Sequence, residues 1–496
     1  MGPPAGARRR FPVLFQLNAR TFVRSLGPDA TLDAIDDEVL DRVLPPQVDW
    51  LYLLGVWQTG AASAEVSRSV PEVRAECAAT LPDLVDADIC GSCFAVTGYR
   101  VHDRLGGDAA LARLRARLAA RGVALMLDFV PNHTALDHPW VALHPERFVT
   151  GTEEDLAANP ANWTRLTTGG TERIVAHGRD PYFPGWTDTL QLDYSSTALH
   201  AAMREQLLMA ASHGDGLRCD MAMLLLSDVF ERTWGRPADP FWPGAIDAVR
   251  GRHPGFTFMA EVYWGREPDL RAQGFDLTYD KTLYDRLVAD PRAVGDHLRG
   301  DGAGQAGAAR FLENHDEPRA ATVFGTGDRH RAAAVATHLV PGLRFLQHGQ
   351  REGWTVHVPM HLCRAPVEPD QPELTAFYDA LLAVLGDPLV HEGAWTLLAP
   401  TEAWAGNPSH HDLLAFGWSA AGNDTLGLLA AVNLSDHWAQ AYVPLPHPEL
   451  RGTSVVLDDR LGPARYARSG DDLCDRGLYL DVGPWAHHVF AVTTSD

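Results

Sequence analysis

Lysine is almost missing from this chain: Lys281 is the only one in 496 residues, and the other basic side chains are arginine and histidine. That removes lysine-based nucleophiles and Schiff bases from nearly the whole molecule. Positive charge is short overall, with 42 Lys plus Arg against 64 Asp plus Glu and a net charge of -22. A phosphate backbone or an anionic membrane is therefore repelled over most of the surface, and no nucleic-acid or membrane partner is expected. No window approaches the roughly 18 unbroken apolar residues of a membrane span. The opening MGPPAGARRRFPVLFQLNARTF has a basic triplet, but Gln16 and Asn18 interrupt the apolar run behind it, unlike a secretory leader. A cytoplasmic location is the expectation. Cysteines are few, at 77, 90, 93, 219, 363 and 474, and in so long a chain they read as free thiols rather than a disulfide framework. Cys90 and Cys93 form an isolated CxxC with no second pair to complete a zinc site.

Hydrophobic residues make up 46% and charged residues 21%, the composition of an ordered globular chain. The length allows two to four domains, or one large barrel with attachments. Short apolar strands alternate with amphipathic helices up to about residue 385. The expected strands are 12–18, 50–57, 123–130, 215–221, 256–263, 275–280, 309–315 and 343–349. The helical half of the unit is clearest at 107–122, where Leu111, Leu114 and Leu118 share a face, Asp108 is placed to cap the start and Gly122 to end it. Residues 133–194 break this rhythm with Pro, Gly, Trp and Asn, and read as an inserted subdomain after strand three. From 393 to 496 short strands separated by turn residues indicate an antiparallel β-sandwich. The barrel itself is expected in two parts, 1–132 and 195–392.

Eight strands with helical crossovers predict a closed (β/α)8 barrel of the α/β class, whose chemistry gathers at the carboxyl ends of the strands. Acidic residues stand at those ends: Asp128 after strand three, Asp220 after strand four, Glu261 after strand five and Asp316 after strand seven. In GLRCD (216–220) an arginine precedes the acid by two residues, so on a strand Arg218 and Asp220 point to one face. The guanidinium is expected to hold that carboxylate ionised.

DFVPNH (128–133), GLRCD (216–220), AEVYW (260–264) and FLENHD (311–316), in this order, resemble the four sequence regions of the α-amylase family of glycoside hydrolases. WLYLLGVW (50–57), TLQLDY (189–194) and PGLRFLQHGQ (341–350) extend the resemblance over about 300 residues. It implies a (β/α)8 barrel with an insertion after strand three and a C-terminal β-sandwich. It also implies roles for matching residues: Asp220 as nucleophile, Glu261 as general acid and base, and Asp316 as the carboxylate that stabilises the transition state. His133 and His315 match the two histidines that bind the reacting sugar. Phe94 falls near the stacking aromatic of the second-strand loop, where Tyr is commoner. Asp128 joins the substrate-binding set as a supporting carboxylate. No cofactor is implied. Asn132 matches a calcium ligand of many amylases, but the acidic calcium loop of some α-glucosidases is absent after strand one, so no metal is assigned.

Two details bear on substrate. Many starch-acting members carry Lys-His where this chain has Met223 and Leu224, and Met221 is bulky beside the nucleophile. NHTALDHPW (132–140) and NHDEPRAATVFG (314–325) resemble exo-acting α-glucosidases, trehalose synthases and sucrose-cleaving members, with Arg319 at the arginine of their NHDxxR motif. The expected partner is a small carbohydrate and the expected reaction is retaining hydrolysis of short α-glucosides. A transglycosidase or isomerase would use the same acids, and a non-catalytic sugar-binding protein is the third reading. Oligomeric state stays open.

Overall fold

Eight parallel strands close on themselves in chain order: β1 (Val13–Asn18), β2 (Trp50–Leu54), β3 (Ala124–Phe129), β4 (Gly216–Cys219), β5 (Thr257–Ala260), β6 (Leu277–Tyr279), β7 (Ala308–Phe311) and β8 (Leu343–Gln347). The description is of a computed structural model and covers residues 9–168, 170–300, 302–422 and 425–495. Every residue of β2, β3 and β4 is buried, because side chains fill the barrel on one face and helices cover the other. The ring is sealed by β1 pairing with β8, Val13 opposite Arg344.

The 107–122 segment forms a helix over Gly107–Ala120 with Ala110, Leu111, Leu114 and Leu118 buried. Gly122, at φ 77°, turns the chain into β3 two residues later. Asp108 does not cap this helix; its carboxylate accepts the Val101 N–H at 2.8 Å and fixes the preceding strand instead.

β4 and β5 end sooner than the apolar runs suggest, at Cys219 and Ala260, just before Asp220 and Glu261. Both acids still bond backward to the neighbouring strand, Asp220 N–H to the Phe129 carbonyl at 2.8 Å and Glu261 N–H to that of Cys219 at 3.0 Å. The last rungs of the ladder thus aim the acids, while Met221 (φ 41°) turns the chain away through the left-handed region.

The insertion after β3 holds a three-stranded antiparallel sheet and a two-stranded one. In the latter, Thr189–Gln191 pairs with His133–Ala135. Gln191 and Asn132 exchange side-chain amide bonds at 2.9 and 3.1 Å in a buried pair, so the TLQLDY segment anchors the insertion to the loop after β3. Asn132 also donates to His133 Nδ1 at 3.4 Å, which commits its amide to the fold.

Beyond the barrel, a six-stranded and a three-stranded antiparallel sheet form the C-terminal part. Alternation along Leu413–Ser419 sorts its side chains: Leu414, Phe416 and Trp418 join the barrel core, whereas Leu413 and Ala415 join the core between the sheets. Trp418 Nε1 donates to the Leu339 carbonyl at 2.8 Å across this junction. Among the described residues no helix is long and apolar enough to cross a membrane.

Candidate active site

Arg218 lies on β4 with its side chain fully buried, and three carboxylates surround it. Nη1 donates to Asp220 Oδ1 at 2.6 Å. Nη2 lies 2.8 Å from Glu261 Oε2 and 3.8 Å from Asp316 Oδ2. Tyr279 on β6 accepts from Nε at 3.2 Å. Acids from the ends of β4, β5 and β7 are thereby gathered around one planar cation, and the fork of that cation sets Asp220 and Glu261 side by side.

The oxygens are not equivalent. Asp220 Oδ1 is held by Arg218, while Oδ2 has no hydrogen-bond partner among the described residues. Glu261 accepts the Met221 N–H on Oε2 at 2.7 Å and the Tyr263 hydroxyl on Oε1 at 2.8 Å. The strained Met221 backbone therefore has a role: it points an N–H at the neighbouring acid. Asp316 is the outward member, with its side chain 28% exposed against 7% for Asp220 and 4% for Glu261.

Burial pushes Asp220 up to about 6, with Arg218 opposing the rise. Burial pushes Glu261 higher, to about 8, because the charges of Asp220 and Asp316 add to it. The expectation that Arg218 would hold the Asp220 pKa down is corrected here: loss of water outweighs the ion pair. The order survives, since Asp220 gives up its proton before Glu261, and near neutrality one acid is charged while the other is not.

His315 joins the site, whereas the contacts of His133 are with Asn132 and with Trp186, whose ring lies 5.1 Å away. Gln16 Nε2 donates to His315 Nδ1 at 2.9 Å, which leaves the proton on Nε2, 3.2 Å from Asp316 Oδ2. Burial lowers His315 to about 4 and His133 to about 3, so both rings stay neutral. The Phe94 ring lies 5.4 Å from that of His315 and 5.3 Å from the Arg218 guanidinium carbon. Asp128 accepts the Tyr52 hydroxyl at 2.5 Å and the Gly55 N–H at 2.7 Å, while its backbone carbonyl accepts Trp57 Nε1 at 2.8 Å. Gly55 can present that N–H because its φ of 78° suits glycine and a Cβ there would stand 3.0 Å from Cys93 Cβ. Replacing Tyr52 by Phe should destabilise the fold by about 1–3 kcal/mol, by leaving a buried carboxylate short of a donor. Urea unfolding at pH 7 checks it.

Arg319 is not brought to the three acids. It is 5% exposed, lies 2.8 Å from Glu313 and donates to the His348 carbonyl at 3.0 Å, tying the loops after β7 and β8 together. The sequence reading passed over Gln16, Tyr263 and Tyr279, though Tyr263 stands two residues from Glu261 and so shares its side of an extended chain. It also passed over an exposed aromatic pair, Trp264 after β5 and Tyr182 in the insertion, with ring centroids 5.0 Å apart. Among the described residues no group of three or more His, Cys, Asp or Glu is arranged to hold a metal ion.

No family model matches the chain. An α-amylase of Haloarcula japonica is 27% identical over 264 residues, 51% of this chain and 35% of that protein. A palatinase of Erwinia rhapontici is 23% identical over 308 residues, 51% of this chain and 53% of that protein. The matched stretches thus span about half, or less, of these relatives' length. Among solved structures, a maltogenic α-amylase of Thermotoga neapolitana superposes with a TM-score of 0.69 at 17% identity, covering 98% of this chain and 99% of that one. The chain resembles the α-amylase family in sequence and in fold. This barrel has its acids at the carboxyl ends of the strands, on the side where the insertion is attached.

Proposed function

We propose that the chain is a retaining glycoside hydrolase that cleaves α-glucosidic bonds of short α-glucosides or malto-oligosaccharides. The observation that carries this reading is one buried guanidinium bonded to Asp220, in ion contact with Glu261 and 3.8 Å from Asp316. Asp220 Oδ2, free of hydrogen bonds, attacks the anomeric carbon while protonated Glu261 gives its proton to the departing glycosidic oxygen. The glycosyl ester on Asp220 is then cleaved by water, whose proton returns to Glu261 as the sugar leaves. Asp316, His315 and His133 bind sugar hydroxyls, the neutral imidazoles reading them without competing for charge. The absence of Lys-His at Met223 and Leu224 supports a short sugar over a long glucan.

Incubation with p-nitrophenyl α-glucoside, maltose, sucrose and trehalose is the test. Glucose released first as the α-anomer, read by NMR, is the expected result, and no turnover of any of the four overturns the reading. The pH profile is a further expectation. Asp220 must be ionised and Glu261 protonated, so kcat/KM should rise as pH passes about 6 and fall as it passes about 8. A profile still rising at pH 9 would contradict that assignment.

A second reading, a transglycosidase or isomerase acting on the same substrates, is favoured by the burial of Asp220 and Glu261, which limits water at the ester. New linkages, or trehalose, formed from maltose would identify it.

A further inference from the structure

We propose that an arginine-lined cavity beside the loop after β2 is a binding site for a small phosphate-bearing molecule, a phosphate ester or inorganic phosphate. The cavity measures about 420 Å³ and shares no residue with the three-acid site. Arg20, Arg24, Arg68 and Arg104 line it, and no Asp or Glu does, in a chain whose net charge is -22.

Arg20, Arg24 and Arg68 are held in place mostly by neutral acceptors, with the Cys90 thiolate offsetting part of the Arg20 charge. Arg20 donates to the Gly91 carbonyl at 2.6 Å, to Thr59 Oγ1 at 3.1 Å and to Cys90 Sγ at 3.3 Å. Arg24 donates to the Pro28 carbonyl at 2.6 Å. Arg68 donates to the Ile89 carbonyl at 3.1 Å, and its one carboxylate contact, Glu65 at 3.4 Å, is 74% exposed and screened by water. Carbonyl and hydroxyl acceptors fix the direction of a guanidinium but leave its charge in place. Among the described residues no carboxylate pairs with Arg20, Arg24 or Arg104. Four guanidiniums against the single Cys90 thiolate leave the cavity with a net positive charge, and the anion that relieves this best is a compact one with several oxygens and more than one negative charge. Phosphate fits that description better than a single carboxylate. The alanines and Leu105 on the same walls offer contact for a carbon skeleton, which favours an ester.

The cavity contains its own reporter. Cys90 lines it, and its thiol is lowered to about 6 by a hydrogen bond from Cys363 and by Arg20, so at neutral pH it reacts as a thiolate. A ligand seated on the arginines would shield it.

Calorimetric titration of the full chain with inorganic phosphate and with glucose 6-phosphate is expected to show saturable binding, tighter for the ester. Arg24 and Arg104 are exposed, so the double variant Arg24→Gln, Arg104→Gln should keep its melting temperature while binding about a hundredfold more weakly, roughly tenfold for each charged donor lost. Iodoacetamide labelling of Cys90, followed by mass spectrometry, should slow with ligand in the parent chain and not in the variant. Equal binding of phosphate and ester would support the site with the free anion as its ligand. Binding of undiminished strength in the double variant, labelling indifferent to both ligands, or no binding of either, would overturn the proposal.

Discussion

Asp220→Asn should abolish turnover of p-nitrophenyl α-glucoside, lowering kcat by on the order of 10⁴-fold or more. The amide keeps the shape of the side chain but has no negative oxygen to form the glycosyl ester. Because Asp220 Oδ1 accepts from Arg218 at 2.6 Å, the amide oxygen can take over that bond, and the circular dichroism spectrum should not change. The pairing of lost rate with intact fold is what separates a nucleophile from a structural partner of Arg218. Activity within about tenfold of the parent, with every other property unchanged, would leave only a sugar-binding role for this barrel.

Arg218→Met should produce the largest loss of stability, about 3–5 kcal/mol at pH 7, because it strands buried carboxylates without their cation. The sign of its pH dependence follows from the direction of the shifts. Asp220 and Glu261 already sit above their ordinary values of 3.8 and 4.5, and removal of the positive charge raises both further. A folded state that binds protons more tightly than the unfolded chain loses stability as pH rises through those folded values. The variant should therefore lie closer to the parent at pH 5, where the acids are protonated, than at pH 8. Urea midpoints at the two pH values decide it, and an equal deficit at both would show that packing rather than charge accounts for the change.

The sequence reveals the barrel clearly and the C-terminal part less so, for one physical reason. Barrel strands are buried on both faces, so each is a short apolar run that stands out; seven of the eight fall within the expected segments, and β7 begins one residue before its own, at Ala308. Ala394–Leu398 and Arg465–Ser469 lie on opposite edges of the six-stranded sheet. Arg465–Ser469 is exposed or half-exposed and carries no apolar run, while Ala394–Leu398 is apolar but buries only Leu398; neither was anticipated. At the site, the acids were legible because charge at the end of an apolar strand is conspicuous. What Arg218 does was only half legible. Its pairing with Asp220 follows from strand periodicity, but its contact with Glu261 depends on how β5 sits beside β4, and the net direction of the Asp220 shift depends on how much water the closed barrel removes. Arg319 shows the opposite limit: its motif suggested a role toward substrate, whereas its position against Glu313 is set by packing that no spacing encodes.

Sealing the barrel between β1 and β8 has a consequence during synthesis. Val13 emerges from the ribosome early, and its partner Arg344 follows about 330 residues later, roughly 15–65 s at ordinary translation rates. For that interval β1 is an apolar ribbon with one side unoccupied, open to pairing with another nascent chain. Yield on expression should then depend on how the waiting strand is shielded, and slower elongation or higher polysome density should send more of the product into inclusion bodies.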